Sequence, residues 1–90
     1  MDKEWTSEVE GVAYSPDGTL LATASRDGAA RVWDATTSQE LTILVHRTPV
    51  VAVTFSPDGS LLATASGLMG KVWDLTAGRE LARFKSIATS

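Results

Sequence analysis

The sequence predicts an all-β fold of two consecutive four-stranded antiparallel units, and three observations carry that prediction. Ser15-Pro16-Asp17-Gly18 returns 41 residues on as Ser56-Pro57-Asp58-Gly59, and Leu20–Ser25 returns letter for letter as Leu61–Ser66. Each copy breaks into short apolar or alternating runs of strand length, with turn-forming residues between them. Each copy also carries a Trp-Asp pair at the end of its third run, Trp33-Asp34 and, 40 residues on, Trp73-Asp74, so the second copy is one residue shorter in between. A repeat of this length is one supersecondary unit that buries its apolar surface against neighbours of the same kind.

Taken in order, residues 1–8 are polar apart from Trp5 and read as a lead-in. Val9–Tyr14 alternates and predicts a first strand. Ser15-Pro16-Asp17-Gly18 fits a type I turn, with Ser first, Pro presetting φ at the second position and Gly fourth. Leu20–Ser25, small and apolar, predicts a second strand suited to burial on both faces. Arg26-Asp27-Gly28 supplies a hairpin connection. Ala30–Asp34 predicts a third strand and, after a polar break, Glu40–Val45 a fourth. His46-Arg47-Thr48-Pro49 links the units. The plan then repeats with strands at Val50–Phe55, Leu61–Ser66, Gly70–Asp74 and Glu80–Lys85. Gly78 stands where Ser38 stands in the first unit; if that position needs a left-handed backbone, Ser38 costs up to ~2 kcal/mol. Arg83 and Lys85 place charge along the last strand, which protects an exposed edge. No helix is expected.

Composition narrows the function classes. The chain has 90 residues, 43% apolar and 21% charged, with a net charge of −3. These are values of an ordinary folded domain. Its eight basic residues are dispersed, whereas phosphate backbones are gripped by dense basic surface, so nucleic acid is not an expected partner. The absence of cysteine excludes disulfides, thiolate metal sites and thiol nucleophiles. Neither a signal-peptide core nor an apolar run of membrane-spanning length is present, which leads to the expectation of a soluble, cytoplasmic chain without membrane contact.

Phe55-Ser56-Pro57-Asp58-Gly59, the leucine pair Leu61-Leu62 and the closing Trp73-Asp74, with their counterparts in the first unit, together resemble the WD-repeat β-propeller family. The resemblance spans residues 9–85. It implies one four-stranded blade per unit, with the first strand near the axis and the fourth at the rim. The expected organisation is a lead-in at 1–8, a first repeat at 9–46, a second at 47–85 and a tail at 86–90. The resemblance also implies a hydrogen-bonded device of His, Ser or Thr, Asp and Trp in each blade. A buried indole N–H needs an acceptor, and a hydroxyl, an imidazole and a carboxylate can complete the chain. His46, Thr64 and Trp73 fit it in the second unit, where Gly67-Leu68-Met69-Gly70 offers no carboxylate. Thr23, Asp27 and Trp33 fit it in the first, where Trp5 stands in place of the His. Each network therefore lacks a member, and a buried group left unpaired costs ~1–3 kcal/mol.

Two blades leave two apolar faces uncovered. Conformational entropy for a chain of this size is on the order of 100 kcal/mol, which a half-covered core does not offset. The missing faces are expected to come from further copies in a head-to-tail ring or from a longer chain of which this is a fragment. Two blades per chain allow six or eight, from three or four copies; assembly of copies is favoured because both ends fall at blade boundaries, with four copies ahead of three. Strand exchange at the joint is a further alternative, with only Trp5 to offer from the lead-in.

The chemistry expected is slight. One histidine is too few for a multi-His metal site, and Asp27 has no nucleophile or second carboxylate beside it, so no catalytic residue, cofactor or metal is expected. Ser15, Asp17, Ser56 and Asp58 read as turn formers. Trp5 could cap the channel mouth, seal a chain–chain contact or stand in solvent. By the resemblance, partners bind the loops entering the inner strand and the hairpins after the second, here Glu8, Glu10 and Arg26, with Pro49, Val51 and Gly67. A non-enzymatic platform for protein or peptide partners is the expected function. The alternative is a structural, designed or recently duplicated unit with no ligand, and a sugar-binding channel ranks behind both.

Overall fold

The computed structural model describes residues 8–67 and 69–85. The expectations for Trp5, for the tail at 86–90 and for Leu68 lie outside them. The described residues form eight strands: β1 (Val9–Tyr14), β2 (Leu20–Ser25), β3 (Ala29–Asp34), β4 (Glu40–Val45), β5 (Val50–Phe55), β6 (Leu61–Ser66), β7 (Met69–Asp74) and β8 (Arg79–Lys85). They build two antiparallel meanders, β1-β2-β3-β4 and β5-β6-β7-β8. Three strands start one residue earlier than the sequence predicts. Ala29, Met69 and Arg79 are each paired across the ladder, with Val45, Lys85 and Asp74. No described helix is long and apolar enough to cross a membrane.

The turns follow from the residues placed in them. Gly18 N–H donates to the Ser15 carbonyl at 2.9 Å, closing the β1–β2 turn. The Asp17 carboxylate accepts from Thr19 N–H at 3.0 Å and from the Ser15 and Thr19 hydroxyls at 2.8 Å each. Asp58 makes the same three bonds with Ser60 and Ser56. Led by the backbone N–H two residues on, these donors hold both carboxyls down to about 2. In the Trp-Asp pairs it is the Asp that ends the strand. Asp34 accepts from Thr36 and Thr37 N–H, and Asp74 from Thr76 and Ala77 N–H. Those turns then need a left-handed residue, and Ser38 (φ 66°) takes the role that Gly78 (φ 71°) takes in the second sheet.

The core lies where the sheets meet, with β5 running against β1 and β2. Ala22, Ala24, Ala30, Val32 and Leu44 from the first sheet close on Val50, Leu62 and Trp73 from the second, flanked by Val53 and Phe55. The identical runs in β2 and β6 differ in burial because of this geometry. In β2, Ala22–Ser25 are all buried, whereas in β6 burial alternates, with Leu62, Thr64 and Ser66 buried and Leu61, Ala63 and Ala65 half-buried. The expectation of burial on both faces holds for most of β2 and not for β6, whose second face has no sheet against it.

Candidate functional site

Two groups of residues carry the expectations drawn from the sequence: the Trp-centred networks inside the sheets and the loop residues expected to face a partner. In the second sheet, Trp73 Nε1–H donates to Thr64 Oγ1 at 2.9 Å, and the same hydroxyl bonds His46 Nε2. The His46 ring meets Trp73 edge-on, with centroids 6.3 Å apart. His46 Nδ1 is buried without a partner, so either tautomer leaves one ring nitrogen unused. This agrees with a repeat that carries no carboxylate in its β6–β7 hairpin. Burial, then the positive charge of Lys71, push the His46 imidazole below its ordinary range, with Glu80 opposing.

Lys71 is a member of this cluster that sequence reasoning missed. Its ammonium donates to the Val45 carbonyl of the first sheet at 3.2 Å, stands 3.7 Å from Glu80 and lies 5.3 Å from the Trp73 ring centroid. Its place beside Thr64 in the ladder is the signal that could have found it, since that row faces the first sheet. Arg83 binds the same Glu80 through two nitrogens, at 2.7 and 3.1 Å, which holds that carboxyl below the usual carboxylate range.

In the first sheet, Trp33 Nε1–H donates to Thr23 Oγ1 at 3.0 Å. Asp27 is engaged elsewhere. Its carboxylate takes the Ser25 hydroxyl, Arg31 Nη2 at 2.9 Å and Ala29 N–H at 3.1 Å. Arg31 first, then Ser25, hold it below the usual range. Asp27 is therefore bonded to a partner set distinct from the Thr23–Trp33 pair.

The residues expected to face a partner gather at one end. Arg26 N–H donates to the Glu8 carbonyl at 2.9 Å, and its guanidinium pairs with Glu10 at 3.3 Å. Glu10 and Val51 each sit at a register shift between β1 and β2 or between β5 and β6, and both are exposed. A bulge sets an extra residue out of the ladder and re-aims its side chain. Gly67 is exposed beside Val51's hairpin, and so is Pro49. A charged sector (Glu8, Glu10, Arg26) thus adjoins a neutral one (Pro49, Val51, Gly67). Among the described residues, no group of three His, Cys, Asp or Glu is placed to hold a metal ion.

Comparison with known proteins decides the family. The model of the WD domain, G-beta repeat, matches residues 3–34 and 38–74. The chain belongs to the WD40 family. A WD40 assignment also accounts for its relatives. The chain is 37% identical over 86 residues to the small ribosomal subunit protein RACK1 of Caenorhabditis elegans, across 94% of this chain and 26% of that protein. Among solved structures, the RRP9 WD40 repeats match with a TM-score of 0.84 at 18% identity over 93% of this chain and 28% of that one. U3-55K matches with a TM-score of 0.84 at 17% identity over the same shares. These two establish the fold alone. The chain spans about a quarter of the length of each of these three relatives.

Proposed function

We propose that this WD40 chain is a non-enzymatic interaction scaffold, two blades of a closed β-propeller that presents its loop end to protein or peptide partners. The observation that supports it is the pairing of a rigid, repeat-built sheet stack with bulged, exposed residues at one end, Glu10–Arg26 beside Val51. The relative named as a ribosomal subunit protein is itself a component of a larger assembly. Dispersed basic residues favour protein over nucleic acid as the partner class.

Ring closure by copies of this chain, giving eight blades from four chains or six from three, is the reading of assembly that two blades per chain favour. The second reading, a segment of a longer propeller, is favoured by the quarter-length span against the relatives. Native mass spectrometry of the chain separates them: three or four copies are expected for self-closure, and a single chain favours the segment. For the platform, a peptide array read with the wild-type chain and with Arg26→Glu is the test. Binders weakened by the charge reversal are expected; binders indifferent to it, or none, overturn the proposed face.

A further inference from the structure

Among the described residues, Ser38 and Arg47 are the non-glycine positions with a left-handed backbone, a conformation that most side chains disfavour. Ser38 has Gly78 as its repeat counterpart, so its turn is common to both units. Arg47 (φ 77°) instead stands in the link between β4 and β5. Strain of this kind persists only where the surroundings hold it, and it gathers at places that bind. Here the hold is the β2–β3 hairpin. The Gly28 carbonyl accepts from His46 N–H at 2.7 Å and from Arg47 N–H at 3.3 Å. Gly28, at φ +93°, also makes room for the Arg47 backbone, which a Cβ there would meet at 3.3–3.4 Å. The link is therefore pinned at the same end of the molecule as Arg26, Val51 and Gly67.

Arg47 is exposed, and among the described residues no carboxylate pairs with it. The acids of the adjoining hairpin are taken: Asp27 is held by Arg31 and Ser25, and Glu10 by Arg26. Glu8 lies on the β1 side of that hairpin, where its carbonyl accepts from Arg26 N–H, whereas Arg47 lies on the β4 side. Farther along the link and into β5, Pro49 and Val51 add exposed apolar surface. A guanidinium takes a carboxylate through two parallel N–H bonds. Because its backbone is already fixed, less freedom is lost when it does so. We infer that Arg47 anchors an acidic side chain of a protein partner, an extended segment whose Glu or Asp meets the guanidinium and whose apolar neighbour rests on Pro49 and Val51. This rests on the scaffold reading above and specifies the chemistry of the partner.

The test takes binders from the peptide array and remakes each with its Glu or Asp changed to Gln or Asn. Both sets are titrated against the 90-residue chain by fluorescence anisotropy. The wild-type chain is expected to bind the acidic member tighter by about threefold or more, with added salt narrowing the gap. Arg47→Gly should remove that preference, and Arg47→Lys should keep part of it. Arg47→Gly should also raise the thermal midpoint, because glycine takes this backbone freely. Arg47→Asn, which tolerates the same conformation, is measured beside it. A midpoint that falls in both variants shows a side chain kept for packing and overturns the anchor. An acidic preference that survives Arg47→Gly, or acidic and neutral peptides that bind equally, overturns it too. Binders still weakened by Arg26→Glu then leave the scaffold reading standing, whereas no binder at all overturns both.

Discussion

Thr64 carries more than its size suggests, since one hydroxyl serves both Trp73 and His46. Thr64→Val keeps the shape and strands two buried ring nitrogens, so a loss of about 2–4 kcal/mol is expected in urea unfolding. His46 sets a pH dependence with a definite sign. Its folded-state value lies below the ordinary imidazole range, so the unfolded chain binds the proton first. The stability it contributes is full above about pH 6.5 and declines as pH falls below that, toward the folded value. Urea midpoints between pH 5 and 8 should show the slope, and His46→Gln should flatten it. Asp17 and Asp58 act in a separate, lower window. Their contribution is present above the ordinary carboxylate value and is lost as pH falls toward about 2.

At the scale of the element, the connections are the sensitive points. Gly28 has φ +93°, and a Cβ there would meet the Arg47 backbone at 3.3–3.4 Å. Its carbonyl also accepts from His46 N–H at 2.7 Å. Gly28→Ala should therefore cost about 1–2 kcal/mol or more. Ser38→Gly, at φ 66°, should gain up to about 1 kcal/mol, read in the same unfolding assay. Ser38 was legible because the repeat shows Gly78 at the matching place, and the strands were legible because turn residues bound them so closely. Arg47 was not: it adopts φ 77° with no Gly or Asn to announce it, held where the link turns under Gly28. Lys71 was hidden for a related reason. A lysine in a strand reads as solvent-facing until the neighbouring sheet supplies the Val45 carbonyl. The Thr23–Trp33 and Thr64–Trp73 pairs were implied by the family resemblance, whereas the diversion of Asp27 to Arg31 depends on a partner four residues away that the resemblance did not single out.

For the whole molecule, the proposed ring closure through the open sheet faces, of which the second sheet's carries Ala63, Ala65 and Phe84, would couple stability to chain concentration. Anything that binds the folded state alone raises its apparent stability by mass action. The wild-type thermal midpoint should rise as the chain is concentrated, and Ala65→Arg should abolish that dependence; a concentration-independent wild-type midpoint would argue against assembly. A Cβ on Gly11 would come 3.3 Å from the Val51 carbonyl, so β1 and β5 approach closely there and would have to part by a few tenths of an ångström to admit it. That approach sets the wedge angle between neighbours, and a head-to-tail series closes only when its wedges sum to a full circle. Ala52 stands at the corresponding place in the second sheet, so whatever packs there meets a Cβ that Gly11 does not present, and that wedge opens a little wider than this one.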